Sequence, residues 1–291
     1  MYIWKYSDYS RISQEAEDNF VFENPRQDQL ETITEIKDAI DKGYRYIILE
    51  AGTGTGKSAI AATLTAMFDT SYILTVTKQL QSQYVRDFPD FQLVKGRSNF
   101  KCKKYAQDSI DETCDNGRCI VEGYTCEFAA KGQKPTHENT CEYYYQKYLA
   151  LESDVVIANY PYMFLELNYV NDFTGRDILI CDEAHNLEST IMNQLKLEFK
   201  LTDLKKHLKI NLDDETVSKL EGGDYHDWIS FIKRIQEKYQ IELDKIIDIR
   251  GRPELNEKIS FMKKQITDCI RFISHIEYDS EIWICDWDDF H

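Results

Sequence analysis

The sequence predicts an α/β fold built on a mostly parallel sheet, and three observations predict it. Short apolar runs alternate with helical patterns along the chain. A glycine-rich loop joins the first such run to an alanine-rich helix, and a later apolar run ends in two adjacent carboxylates. Strands that alternate with helices run parallel, because each crossover helix returns the chain to the same end of the sheet.

Residues 26–41 place Leu30, Ile33, Ile36, Ala39 and Ile40 at helical spacing. Residues 46–49 form a short apolar strand, and an alanine-rich helix follows from Lys57 to about Phe68. Residues 72–76 make a second strand and 79–88 a further helix, while 154–158 and 178–181 are strands of the buried type. Two segments interrupt this alternation. Residues from about 95 to 145 are rich in cysteine and polar side chains with little periodicity. From about Leu187 the chain becomes helical and charged, with long helices expected near 225–249 and 253–276 and a strand-like run at 282–287. There is no internal repeat and no low-complexity linker.

A chain of 291 residues holds one large domain with insertions or two modest ones. Its 42% hydrophobic content supports a packed core, and its 30% charged content suits an intracellular globular protein. No apolar run approaches bilayer length, so no membrane partner is expected. Residues 1–8 lack a basic region followed by an apolar stretch, so the protein is not expected to be secreted. The expected location is the cytoplasm, or the nucleus in a eukaryotic host. A net charge of −16 argues against simple electrostatic coating of nucleic acid. Lys95, Arg97, Lys101, Lys103 and Lys104 nevertheless form a basic patch, with no acidic residue between 95 and 107. By itself such a patch reads equally well as a solvated charge run.

Ala51-Gly52-Thr53-Gly54-Thr55-Gly56-Lys57-Ser58 lies between the first strand and the alanine-rich helix. Glycines let the backbone curl so that its N–H groups face phosphate oxygens, and the helix N-terminus adds a favourable field. In this pattern Lys57 bridges the β- and γ-phosphates of ATP and the Ser58 hydroxyl binds magnesium. The strict pattern begins with Gly where Ala51 stands. A glycine-rich loop of purely structural origin is the competing reading, and the flanking strand and helix weigh against it. The second half of the site is the apolar strand that ends in Asp182-Glu183-Ala184-His185. Asp182 is expected in the magnesium shell and Glu183 on the attacking water. His185 is grouped with them as catalytic.

Five of the eight cysteines, Cys102, Cys114, Cys119, Cys126 and Cys141, fall between positions 102 and 141. With no secretion signal this clustering suggests metal rather than disulfides. Cys181, Cys269 and Cys285 sit singly in apolar stretches and read as small core residues. Zinc accepts four thiolates, but structural zinc sites usually show C-x₂-C pairs, and none occurs here. Widely spaced single ligands fit an iron–sulfur site better.

The Asp182–His185 motif with its Ala-type phosphate loop resembles the motor of superfamily 2 helicases. Arg26-Gln27-Asp28-Gln29 resembles the adenine-contacting element of those enzymes, with Arg26 and Gln29 in the matching places. Residues 96–102 and 141–147 bracket the cysteine segment, and Ser153-Asp154-Val155-Val156-Ile157-Ala158-Asn159-Tyr160 follows. That arrangement resembles the XPD/DinG family of iron–sulfur DNA helicases over about residues 20 to 188. Where that family usually has Pro after its last cysteine, this chain has Glu142. The resemblance implies a RecA-like motor domain from 1–94 and 146–188, a [4Fe–4S] insertion at 95–145 and a helical arch-like region at 189–291. Cys102 and Cys141 match the outer ligands. Cys119 and Cys126 are taken as the inner pair, with Cys114 as the alternative.

The resemblance also places single-stranded DNA beside the first cysteine. Arg97 and Lys101 are then expected on phosphates, and Phe100 and Tyr105 either on bases or buried against the insertion. A second motor domain should follow the arch, carrying arginines to the γ-phosphate, and no such segment occurs within the 291 residues. The expected function is the ATP-binding half of an ATP-dependent DNA helicase that moves 5′→3′ on single-stranded or forked DNA. A separate chain is the expected source of the second motor domain, and the isolated chain is expected to turn over ATP weakly. The alternatives are a nucleotide-gated DNA-binding module without turnover, a partner-dependent subunit of a split helicase, and a zinc-containing structural protein.

Overall fold

The computed structural model describes residues 2–3, 12–121, 125–129, 134–173, 175–247 and 255–278. In chain order the first elements are β1 (Tyr2–Ile3), α1 (Gln14–Asp18), α2 (Gln27–Asp41), β2 (Ile47–Ile48), α3 (Lys57–Ala66), β3 (Ser71–Thr75), α4 (Lys78–Asp87) and β4 (Gln92–Leu93). Then come α5 (Lys103–Gln107), α6 (Arg118–Val121), α7 (Glu142–Glu152), β5 (Val155–Asn159), α8 (Tyr160–Leu165) and β6 (Ile178–Cys181). Helices α9 (Leu187–Leu195), α10 (Leu201–Leu208), α11 (Asp214–Glu221), α12 (Tyr225–Ile247) and α13 (Asn256–Tyr278) complete the described chain. Among the described residues no helix is long and apolar enough to cross a membrane. The run at 282–287, with Cys285, lies outside the described residues.

The chain divides into two compact units, and the first comprises Met1–Gly96 and Tyr144–Ile191. Its main sheet has the order β4-β5-β3-β6, all parallel. Every residue of β3 is buried, as is the centre of β5, which is what unbroken apolar runs produce when both faces of a parallel sheet are covered. Leu30, Ile33 and Ile36 of α2 pack with Ile60 and Leu64 of α3, and Ala61, Ile73, Tyr84 and Ile157 form an adjoining cluster. β2 is shorter than the run at 46–49, and it pairs with β1 apart from the main sheet. β5 ends where the Asn159 side chain accepts from the Tyr162 amide at 2.8 Å, capping α8 with Pro161 in its first turn.

One charged group lies deep in this unit. Lys147 Nζ is 2.6 Å from Glu166 Oε1 and 2.7 Å from Asp172 Oδ2, with the Lys147 and Glu166 side chains 8% and 4% exposed. Glu166 opens a π-helical turn, Glu166–Val170, that extends α8.

The second unit comprises Arg97–Tyr143 and Met192–His291. Phe231, Ile235, Tyr239 and Leu243 recur along α12 at helical spacing, and meet Ile259, Met262 and Ile266 of α13 and Leu204 and Leu208 of α10. The cysteine-rich segment joins the same core through Val121. Asn256 Nδ2 donates to the Tyr105 hydroxyl at 3.0 Å in a buried contact, and Lys263 Nζ donates to the carbonyls of Ile120 and Val121 at 2.9 and 2.7 Å.

Removing one partner of a buried ion pair leaves the other without compensation. Lys147→Ala is expected to lower stability by about 3–5 kcal/mol, read as a lower urea midpoint, whereas Lys147→Ala with Glu166→Leu recovers part of the loss. Equal midpoints for wild type and Lys147→Ala would contradict this role for the pair.

Candidate functional site

The glycine-rich loop connects β2 to α3. Gly54 and Gly56 have φ of +80° and +83°, a conformation that side-chain-bearing residues seldom adopt. Gly56 caps α3, and a Cβ placed on it would lie 2.1 Å from Gln29 Nε2. That close approach lets α2 grip the loop. Gln29 Nε2 donates to Thr55 O at 3.0 Å, Gln29 Oε1 accepts from Arg26 N at 3.0 Å, and Arg26 Nη1 donates to Gly54 O at 2.8 Å. The two residues expected on adenine are thus also the ones that brace the phosphate loop. Gly52, Thr53 and Gly54 are exposed at its tip, and the Thr55 hydroxyl donates to Gly52 O at 3.0 Å.

Lys57 Nζ donates to Ala51 O at 3.3 Å and lies 3.8 Å from Glu183 Oε1. The Asp182 amide donates to Leu74 O at 2.9 Å, which extends the β6 to β3 ladder up to the first carboxylate. The Tyr84 hydroxyl donates to Asp182 Oδ2 at 3.0 Å, and the Tyr160 hydroxyl donates to the Asp182 carbonyl at 2.9 Å. Burial raises the Tyr84 phenol above its ordinary range, and the Asp182 carboxylate raises it further. Burial likewise raises Tyr160, with Cys181 as its next cause. Glu183 has φ of +55°, a sparsely populated conformation for a non-glycine residue, and begins a 3₁₀ turn over Ala184–Asn186. His185 Nδ1 is 3.4 Å from Glu183 Oε2, and its other ring nitrogen is 2.8 Å from Asn186 Nδ2.

Loop, α2 and the end of β6 therefore bring Arg26, Gln29, Lys57, Asp182, Glu183 and His185 together, with Ser58 next to Lys57 at the start of α3. Sequence reasoning missed Tyr84 and Tyr160. Tyr84 occupies a core-facing position of an amphipathic helix, where nothing in the sequence separates a hydrogen-bonding tyrosine from a packing one.

The five clustered thiols lie in the second unit. Cys102, Cys114, Cys126 and Cys141 are buried and Cys119 is half-buried. The Cys114 thiol is raised above its ordinary range, first by its hydrogen bond with Cys141, then by burial and by Cys102. Cys126 is raised by burial first, with contributions from Cys119, Cys141 and Cys102. Cys102 and Cys141 are electrostatic neighbours of Cys114, Cys119 and Cys126 alike, and the five thiols are one more than a Cys₄-held group needs. Among the described residues no group of three or more His, Cys, Asp or Glu side chains is arranged to hold a metal ion. In donor type and burial the thiols still suit a thiolate-held group, and Arg97 supplies a nearby cation. Its Nη1 is 4.0 Å from Cys119 Sγ, and its guanidinium carbon stands 4.3 Å from the Tyr143 ring centroid.

The rest of the basic patch engages local partners. Lys101 Nζ is 2.8 Å from Asp111 Oδ1 with both side chains largely exposed, Lys104 pairs with Glu127 at 2.7 Å, and Lys103 donates to the carbonyls of His137 and Glu138. Phe100 meets Tyr143 edge-on at 6.2 Å, and Tyr105 is buried against Asn256. The burial of Tyr105 follows the second of the two readings given for that ring. Cys181 lies beside Tyr160, and Cys269 is buried with Ile232 and Ile273.

Residues 22–212 match the model of the family described as type III restriction enzyme, res subunit. Over 262 residues the chain is 27% identical to the probable ATP-dependent helicase MJ0942 of Methanocaldococcus jannaschii, a match that covers 80% of this chain and 39% of that relative. A solved XPD helicase superposes with a TM-score of 0.55 at 15% identity, covering 89% of this chain and 52% of that one. The chain thus spans about two-fifths of the curated relative's length. It belongs to the type III restriction enzyme, res subunit family, and its fold is similar to that of a solved XPD helicase.

Proposed function

We propose that this chain is the nucleotide-binding half of an ATP-dependent DNA helicase that moves 5′→3′ on single-stranded or forked DNA. The observation that carries the reading is the approach of Lys57 Nζ to within 3.8 Å of Glu183 Oε1, which joins the phosphate loop to the acidic end of β6. In this reading the loop amides and Lys57 take the phosphates of ATP, and Ser58 and Asp182 hold magnesium. Magnesium, when bound, neutralises charge on the β- and γ-phosphate oxygens. Glu183 orients water and accepts its proton as the oxygen attacks the γ-phosphorus and the bond to the β-phosphate oxygen breaks. His185 positions Glu183 from the side opposite Lys57, and Arg26 and Gln29 link the base of the nucleotide to the loop they brace.

In the same proposal Cys102, Cys119, Cys126 and Cys141 hold a [4Fe–4S] cluster, with Cys114 as the alternative inner ligand. The burial of Cys102, Cys126 and Cys141 and their thiol donor type support this. Lys101, with its exposed ammonium, and Arg97 are the proposed DNA phosphate contacts beside the cluster. A separate chain or region with a second motor domain would supply the cations that complete the transition state. The proposed setting is the cytoplasm.

Nucleotide binding is the direct test. Lys57→Ala is expected to weaken ATP–Mg²⁺ binding by about 10- to 100-fold, as loss of a hydrogen bond to a charged group implies. Isothermal titration showing equal affinity would remove Lys57 from this role. Glu183→Gln is expected to keep binding and lose hydrolysis.

For the thiols, protein purified without oxygen is expected to be brown, with about four irons per chain. Cys102→Ser, Cys119→Ser, Cys126→Ser and Cys141→Ser should each lose iron while Cys114→Ser retains it. Iron lost from Cys114→Ser and retained in Cys119→Ser or Cys126→Ser would move Cys114 into the ligand set. Colourless protein with stoichiometric zinc would overturn the cluster.

A further inference from the structure

Tyr84 reaches the nucleotide site from α4, which supplies none of the residues assigned to phosphate or magnesium above. Its ring is 1% exposed, and it packs with Ala61, Ile73 and Ile157 and beside Phe88 at a centroid distance of 6.3 Å. Packing on this scale fixes the ring, and a fixed, buried phenol must satisfy its hydroxyl. The hydroxyl has a single proton, which it donates to Asp182 Oδ2 at 3.0 Å.

The Tyr84 hydroxyl therefore ties α4 to the end of β6. Asp182 is a residue that the proposed function places on magnesium. A carboxylate with Oδ2 engaged leaves Oδ1 as the free acceptor. The main chain of Asp182 is held as well, by its own amide to Leu74 O and by the Tyr160 hydroxyl on its carbonyl, so the carboxylate has little freedom left.

We infer that Tyr84 is a positioning residue for the magnesium site, its hydroxyl orienting the Asp182 carboxylate before the cation arrives. The inference rests on the nucleotide reading given above. Hydrogen-bonding partners that orient metal ligands change metal affinity by about 10- to 100-fold when removed. Tyr84 leaves the chemistry of the phosphate loop itself untouched, so its effect should be confined to the magnesium-dependent part of binding.

The experiment uses the 291-residue chain, a fluorescent ATP analogue and a magnesium titration, with wild type, Tyr84→Phe and Lys57→Ala in parallel. Tyr84→Phe keeps the ring and its packing and removes only the hydroxyl. It is expected to raise the magnesium concentration for half-maximal binding about tenfold, the lower end of that range, while affinity in excess EDTA stays at the wild-type value. Lys57→Ala should weaken binding under both conditions. Thermal melting in EDTA checks that the Phe variant folds, and a melting point close to wild type is expected. An unchanged magnesium midpoint would overturn the inference and leave the nucleotide reading standing. A loss of affinity equal with and without magnesium, or a variant that fails to fold, would show a purely structural role and overturn it too. Absence of nucleotide binding by the wild type would overturn both readings together.

Discussion

The bond from the Asp182 amide to the Leu74 carbonyl sets how far β6 runs beside β3, and the nucleotide site takes its shape from that register. β3 is buried along its whole length between β5 and β6, so it cannot slip without moving apolar side chains out of the core. The last paired position on β3 therefore fixes where the β6 backbone leaves the sheet. Two carboxylates emerge at that point, opposite the loop that follows β2. Glu183 departs from regular geometry one residue later, with φ of +55°. The strain turns the chain away while the Glu183 side chain remains facing Lys57.

The second unit meets a different constraint. A segment of about fifty residues rich in cysteine and polar side chains buries too little apolar surface to hold a fold by itself. In this chain it packs on the long helices instead, through Val121 in their core, the Tyr105–Asn256 contact and Lys263 at the carbonyl end of α6. That is why 97–143 and the helices after 192 form one compact unit although the nucleotide-site strands β5 and β6 separate them in sequence. The basic patch responds to the same shortage. Lys103 and Lys104 tie the segment together through carbonyls and Glu127, and Arg97 packs on Tyr143, which leaves Lys101 as its most exposed cation.

Much of the architecture was legible because strong local patterns and tertiary packing agree. The runs at 72–76, 154–158 and 178–181 became β3, β5 and β6 within one residue at each end, and the helices near 26–41, 57–68 and 225–249 appear where periodicity places them. β4 was not legible: two residues at a sheet edge carry no period. The π-helical turn after α8 was equally silent, since its geometry depends on Glu166 reaching Lys147 rather than on neighbours in sequence. In the nucleotide site the loop and the acidic strand end could be read from residue type. The bracing by Arg26 and Gln29 depends on where α2 packs against Gly56, and the place of Tyr84 depends on how α4 lies on the sheet. Both are facts of packing, which residue order alone does not encode.

In the proposed function the Lys57–Glu183 pair bears on how the site accepts nucleotide. Both side chains are about one-third exposed, so solvent screens them and their attraction contributes little net stability, on the order of 0–1 kcal/mol. In that proposal a triphosphate would bring several negative charges to the same lysine and to the loop amides together. That stronger demand would displace Glu183 from Lys57 at small cost, and Glu183 would keep its contact with His185, at 3.4 Å. The weak pair thus holds Lys57 and Glu183 near each other without competing strongly with the proposed ligand. A tighter, buried pair at the same position would hold the two residues against the ligand, and the exposure of this one is what leaves them available.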